Sequence, residues 1–446
     1  MIQFSYENCL KEKIAENGLD ASQLDGLKGK LESAHQALRE KLSHGKLGFA
    51  ELPDTTQVAD RIAKFASVNH GKYDNFAVLG IGGSALGSIA LQTALHSPFY
   101  NLLPRDKRKN CPRIFVLDNV DPDLVCAFLE TIDVTKTLFN VITKSGNTSE
   151  TMSQFFIIRD ILEKKLGKKG KERIVATTDP KKGLLREIAT REGYATFDIP
   201  PNVGGRFSVL SPVGLLSAAI SGIDIHGLLK GAQEMRARCS EQDITTNPAY
   251  AFALVHYLFY NAARPIHVLL SYSQRMKDFA DWFRQLWAES LGKRLNNSGK
   301  EVFIGPTPVN ALGVTDQHSQ VQLYIEGPQD KVITFISVEK PAYDVPIPEF
   351  ENHFLGGQGL VRLFHAEEKA TRAALTRAGR PNCTITLPLI TPESVGEFIY
   401  MLELATACAG ELFGINAFDQ PGVELGKNLT YGLMGRPGYE QYLKQL

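Results

Sequence analysis

Short apolar runs alternate along this chain with longer stretches in which apolar positions recur at the spacing of one helix face. Runs of the first kind predict buried strands, and stretches of the second kind predict amphipathic helices. In the first half the strands fall at 76–79, 113–117, 138–142, 173–177 and 195–199. In the second half they fall at 266–271, 321–325, 332–337 and 383–388, with helices at 248–262, 275–291, 359–378 and 392–413. Such alternation predicts an α/β fold of mainly parallel sheets wrapped by helices. A charged, helix-prone leader over 1–45 and a helix at 56–69 precede the first unit, and 200–250 bridges to the second. The predicted organisation is an N-terminal helical segment (1–50), a first domain (51–205), a second domain (206–415) and a C-terminal loop and helix (416–446).

With 446 residues, the chain can bury more than one large core. Lys plus Arg equals Asp plus Glu, 49 each, so no charge excess points to nucleic acid or to an anionic membrane surface. Cysteines at 9, 111, 126, 239, 383 and 408 have no CxxC spacing, which implies free thiols in a reducing compartment. The chain does not open on a basic-then-apolar signal pattern, and no apolar run approaches the ~20 residues of a membrane span. These features predict a cytoplasmic protein with no nucleic-acid or membrane partner.

Two stretches read as strand, turn and helix start, an arrangement whose free N–H groups and helix dipole favour an anion such as phosphate. The first is Asn75 to Ile89, where Gly80, Gly82, Gly83 and Ser84 follow an apolar run. Its Gly80-x-Gly82-x-x-Ala85 spacing also loosely fits a dinucleotide fingerprint. The acidic residue ending the next strand, Asp118, lies well beyond the ~20 positions that fingerprint wants. A glycine turn serving only helix–strand packing remains a third reading. The second stretch follows strand 138–142 and crowds Thr143, Lys144, Ser145, Thr148, Ser149 and Thr151 together. There Asn147-x-x-Glu150 resembles a capping box.

Further candidates lie downstream. Gly204-Gly205-Arg206 would let backbone approach a ligand while a fixed cation reaches it; a surface arginine is the plainer reading. Gln285 and Glu289 share one helix face, and Gly292 puts Glu289 in the last turn, where the dipole disfavours a carboxylate. His318 sits in a polar turn ahead of the predicted strand 321–325, and Gln420 and Lys427 lie in a loop running into a helix start. No His/Cys/Asp/Glu group has ligand spacing, so no metal is expected.

Asn202-Val-Gly-Gly-Arg-Phe-Ser-Val-Leu-Ser-Pro-Val-Gly214 and Asp419-Gln-Pro-Gly-Val-Glu-Leu-Gly-Lys427 resemble the two signature stretches of the glucose-6-phosphate isomerase family. The Gly80 and Thr143 loops, Gln285-x-x-x-Glu289 and Thr315-Asp-Gln-His318 fit the same family in the same order. The resemblance implies two sugar-isomerase-type αβα sandwich domains and metal-free, cofactor-free aldose–ketose isomerisation of glucose 6-phosphate and fructose 6-phosphate. It also implies the roles of the candidate residues. Gly83, Ser84, Thr143, Lys144, Ser145 and Thr148 hold the phosphate, and Glu289 moves the proton. Arg206 stabilises the enediolate, His318 and Lys427 open the ring, and Gln285 and Gln420 place the sugar. The working unit implied is a homodimer in which His318 reaches the partner's site. The alternatives are another sugar-phosphate isomerase, a sugar-phosphate sensor without catalysis, and a nicotinamide dehydrogenase.

Overall fold

The computed structural model describes Met1–Leu446, the side chains of Ala21 and Gln445 excepted. Its strands are β1 (Gln3–Ser5), β2 (Asn75–Leu79), β3 (Arg113–Leu117), β4 (Thr137–Thr143), β5 (Ile174–Thr178) and β6 (Ala195–Asp198). There follow β7 (Ile266–Ser271), β8 (Lys293–Leu295), β9 (Glu301–Ile304), β10 (Thr307–Leu312), β11 (Lys331–Val338) and β12 (Asn382–Leu387). The first sheet has the order β3-β2-β4-β5-β6 and is parallel throughout. The second has the order β1-β12-β11-β7-β10 and is parallel except for β1; β8 and β9 form a separate antiparallel pair.

The central strands of the first sheet were readable because helices cover both faces. Every residue of β2 and of β4 is buried, which makes them mainly apolar runs. Their few polar side chains pair internally: Asn75 Nδ2 donates to Thr137 Oγ1 at 3.1 Å and Thr177 Oγ1 to Asn140 Oδ1 at 2.8 Å. In register, Leu79 stands between Leu117 and Val141, so β2 and β4 end side by side.

Two expectations fail. Residues 321–325 are not a strand: Val321–Glu326 is a short helix that buries Tyr324 and exposes Leu323. The strand lies earlier, as β10, where Pro308 and Asn310 interrupt the apolar pattern. Because β10 is an edge strand, a proline without an N–H is tolerated there. The leader is mostly helical, with Lys28–Ser43 its longest helix, but it opens with β1, which pairs antiparallel to β12 through Phe4 and Ile385. Three residues are too few to show alternation.

The helix Pro392–Phe413 is mostly apolar and buried along nearly all its length, Glu397 and Glu403 included. That is the pattern of a helix packed all round. It touches Lys28–Ser43, Ile225–Arg238, Pro248–Asn261 and Lys277–Leu291. Thr391 and Ser394 cap its start reciprocally, and Gly414 ends it at φ +68°. Among the described residues no helix is long and apolar enough to cross a membrane.

Candidate active site

From β2 the chain crosses to β3 on one side and returns to β4 on the other. A crevice opens at such a reversal, beyond the carboxyl ends of the strands. The two predicted anion loops meet there. In the first, Gly82–Ser84 forms a separate single turn, and the helix Leu86–Leu95 begins two residues after Ser84. Ser84 is half-buried, and its hydroxyl makes no hydrogen bond among the described residues. In the second, Thr143 Oγ1 and Thr148 Oγ1 stand 3.0 Å apart, and Gly146 N–H donates to Thr143 Oγ1 at 3.2 Å. Thr178 Oγ1 donates to Thr143 O at 2.6 Å, tying the loop to β5. Ser145 Oγ accepts from Asn147 N–H at 3.2 Å.

The expected capping box of Asn147 and Glu150 is not formed. Thr148 caps the helix Ser149–Leu166 without any side-chain cap bond, which leaves first-turn N–H groups free for an anion. Lys144 does not point into the crevice. Its Nζ donates to Pro201 O at 2.7 Å and Val203 O at 3.0 Å, and burial lowers its pKa. It holds the segment that leads to Gly205 and Arg206.

That segment crosses the first loop at the closest approach in the site. A Cβ on Gly83 would lie 2.2 Å from Gly205 C and 2.7 Å from Arg206 N, so only glycine fits. Arg206 is 3% exposed and donates through every nitrogen. Nε reaches Ser290 Oγ at 2.6 Å and Nη1 reaches Gln420 Oε1 at 3.1 Å; Nη2 reaches Ala417 O at 2.6 Å and Asp419 O at 3.2 Å. Burial lowers its pKa, while Glu289 and Asp419 oppose the shift.

Glu289 lies in the last turn of Lys277–Leu291, as its spacing before Gly292 predicts. Its two oxygens meet different partners: Oε2 accepts from Gln285 Nε2 at 3.0 Å, and Oε1 is 3.5 Å from Arg206 Nη1. Gln285 in turn lies under the first loop, where a Cβ on Gly82 would be 3.0 Å from Nε2. The structure therefore gathers Gly83, Arg206, Gln285, Glu289 and Gln420 in one cluster beside the two loops.

Lys427 stays half-exposed on the helix Glu424–Leu433, with Nζ 2.8 Å from Glu424 Oε1. Tyr431, one turn on and on the same face, donates to Asn147 O at 3.2 Å, which lays this helix over the second loop. His318 is not part of the cluster. It ends the turn Thr315–His318 past the carboxyl end of β10 and is exposed. Glu289 lies at the opposite end of the same sheet, because its helix runs back along β7 and Trp287 Nε1 donates to His267 Nδ1 at 2.9 Å. A strand's length, roughly 15–20 Å, separates them.

Sequence reading missed Ser290 and Lys293. Lys293 Nζ donates to Glu289 O at 2.8 Å, Ser290 O at 3.0 Å and Asp419 O at 3.0 Å. A lysine just after a helix end was the available signal, since cations suit the free carbonyls there. Among the described residues no group of His, Cys, Asp or Glu is arranged to hold a metal ion.

Fold and site together define an α/β sandwich protein that sets two strand–turn–helix loops, rich in glycine and hydroxyls, against a buried arginine and a carboxylate. The family model described as phosphoglucose isomerase matches residues 33–440. Among relatives, the glucose-6-phosphate isomerase of Carboxydothermus hydrogenoformans is 48% identical over 447 residues, covering 99% of this chain and 96% of that protein. A crystal structure of a hypothetical protein from Thermus thermophilus superposes with a TM-score of 0.88 at 37% identity, over 97% of this chain and 100% of that one. A glucose-6-phosphate isomerase from Chlamydia trachomatis shares the fold, with a TM-score of 0.82 at 23% identity, over 99% and 95% of the two chains. The chain belongs to the phosphoglucose isomerase family.

Proposed function

We propose that this protein interconverts D-glucose 6-phosphate and D-fructose 6-phosphate, in glycolysis and gluconeogenesis. The observation that carries the reading is the Glu289–Arg206 pair at 3.5 Å, set beside two loops with free anion-binding groups. The phosphate is the handle. Gly83, Ser84, Thr143, Ser145 and Thr148 of the first domain (51–205) grip it away from the reacting carbons, and Lys144 holds the loop segment behind them. Binding energy spent there positions C1 and C2.

Ring opening comes first, by proton transfer at the ring oxygen and the anomeric hydroxyl. Lys427, from the C-terminal segment (416–446), serves it within the chain. His318, from the second domain (206–415), serves it in a partner's site. Glu289 then takes the proton from C2 of the open aldose and returns it to C1. The cis-enediolate between these steps carries negative charge on oxygen, next to Arg206. Gln285 orients the carboxylate, and Gln420 orients the sugar. The assembly is a homodimer with shared sites, working in the cytoplasm with no metal or cofactor.

Purified protein given fructose 6-phosphate with a chelator should form glucose 6-phosphate, read by a coupled dehydrogenase. In D2O, deuterium should enter the product carbon. Absence of product would sink the reading; the share of product carrying deuterium reads how often the Glu289 proton exchanges with solvent before it is returned.

A further inference from the structure

Lys293 stands just past the end of Lys277–Leu291 and is 8% exposed. An ammonium has three protons, and Nζ gives one each to Glu289 O, Ser290 O and Asp419 O. None is left for a ligand. Two of these acceptors belong to the last turn of the helix that carries Glu289, where carbonyls lack partners inside the helix. The third belongs to the loop that carries Gln420. Arg206 bridges the same two elements independently, through Ser290 Oγ and the carbonyls of Ala417 and Asp419. Asp419 O thus accepts from both cations.

We propose that Lys293 is a positioning residue for isomerisation: it clips the Glu289 end of its helix to the 417–420 loop, so that Glu289, Arg206 and Gln420 keep one register. The proposal rests on Glu289 being the base. It adds a residue that never meets the sugar but fixes the distance between the groups that do.

Arg206 from the segment after β6, Glu289 from the helix and Asp419 from the loop are the charged groups that face Lys293. Burial, helped by Arg206, lowers its pKa to about 8; Asp419 and Glu289 oppose the shift. A neutral amine has two protons for three carbonyls. The clip therefore loosens as pH rises through this range, while the phosphate loops on the other sheet keep their grip.

The test compares the parent with Lys293→Met. Both are followed from about pH 6 to pH 9.5 by kcat, KM and amide hydrogen exchange at 417–420. The Met variant should lose roughly 100-fold in kcat, the scale expected when reacting groups shift by about 1 Å. Its KM should stay within about threefold. The parent's alkaline decline in kcat should be absent from it, and exchange at 417–420 should quicken. A kcat within about threefold of the parent overturns the proposal. So does a KM raised more than about tenfold, which would mean contact with the sugar phosphate. If the Met variant does not fold, the parent decides. Its 417–420 amides should speed up above pH 8 by more than those of β4, and equal acceleration overturns the clip. A parent that does not isomerise fructose 6-phosphate refutes the proposed function, yet the exchange comparison still judges the clip.

Discussion

Glu289 and Arg206 face each other at 3.5 Å, and neither is free to turn away. Gln285 holds the far carboxylate oxygen, and Ser290, Gln420 and two main-chain carbonyls hold the guanidinium. The pair therefore suits a step in which charge moves over a short distance. In the proposed reaction the negative charge that the carboxylate loses on taking a proton reappears on the substrate oxygens, still within the field of the same cation. Such preorganised cations stabilise a developing oxyanion without reorganising as it forms.

Glu289→Gln removes the proposed base and keeps the shape. Loss of a general base costs about 10²–10⁴-fold in kcat, and the loss should show in full here. Affinity for a non-reacting hexitol 6-phosphate should stay within about tenfold, because the phosphate loops stand apart. Titration calorimetry and the coupled assay measure the two. Turnover within about tenfold of the parent removes Glu289 from the mechanism.

Arg206→Lys keeps the charge and loses the planar fork. A lysine cannot serve Ser290, Gln420 and the 417–419 carbonyls at once, so the loop loosens and the cation shifts from Glu289. A drop of about 10²-fold in kcat is expected, the scale of losing one oxyanion donor. An unchanged kcat would contradict the enediolate role.

Gly83→Ala tests the crossing of the first loop over Gly205. The new methyl meets main-chain atoms at 2.2–2.7 Å, and backbone cannot step aside as a flexible side chain can. Overpacking of this kind costs about 1–3 kcal/mol, and the displaced loop should also raise KM for sugar phosphate. A thermal melt and a KM measurement check both effects. Parental values in the two would mean that the loop and Arg206 are not in this contact.

Glu403 offers a prediction about pH and stability. It is fully buried in Pro392–Phe413, neither oxygen has a hydrogen-bond partner among the described residues, and burial raises its pKa well above the ordinary carboxyl value. The folded chain keeps this proton, and the unfolded chain releases it above about pH 4.5. Stability from this group is thus full at acid pH and falls as pH rises from the unfolded value toward the folded one. Within that window one proton is worth about 1.4 kcal/mol per pH unit. Glu403→Gln should remove this slope, so the stability difference between variant and parent should grow in the variant's favour from pH 5 to pH 8. Denaturant midpoints at both values measure it, and a constant difference would mean that Glu403 is ionised in the fold.

What the sequence disclosed follows from what leaves a trace in residue types. Strands covered on both faces leave apolar runs, so β2, β4 and β7 were plain, while β10 hid behind Pro308 at a sheet edge. Searching the carboxyl ends of strands led to Ser84, Thr143 and Arg206. It could not lead to Glu289, which lies at the amino end of the second sheet and looks, in sequence, like one more charge on an amphipathic helix. Its register with Gln285 and its place in the last turn before Gly292 made it a candidate, and only the family resemblance gave it the role of base. Lys293 was hidden more deeply, because its partners are main-chain carbonyls, which any residue carries.

The distance between His318 and Glu289 leads to the last prediction. Within one chain they occupy opposite ends of the second sheet, and His318 is exposed and makes no hydrogen bond through its ring among the described residues. A histidine so placed can serve ring opening only in another subunit's site, and a two-fold dimer makes the exchange mutual. Glu289→Gln and His318→Ala proteins should each be inactive alone. Unfolded together and refolded, they form hybrids in which one site takes both lesions and the other takes neither. With random pairing about a quarter of all sites should be intact, and the coupled assay should recover activity in that proportion. If His318 acted within its own chain, every site in a hybrid would keep one lesion and the mixture would stay inactive. Hybrids verified by mass that show no recovered turnover would therefore place His318 outside the partner's site.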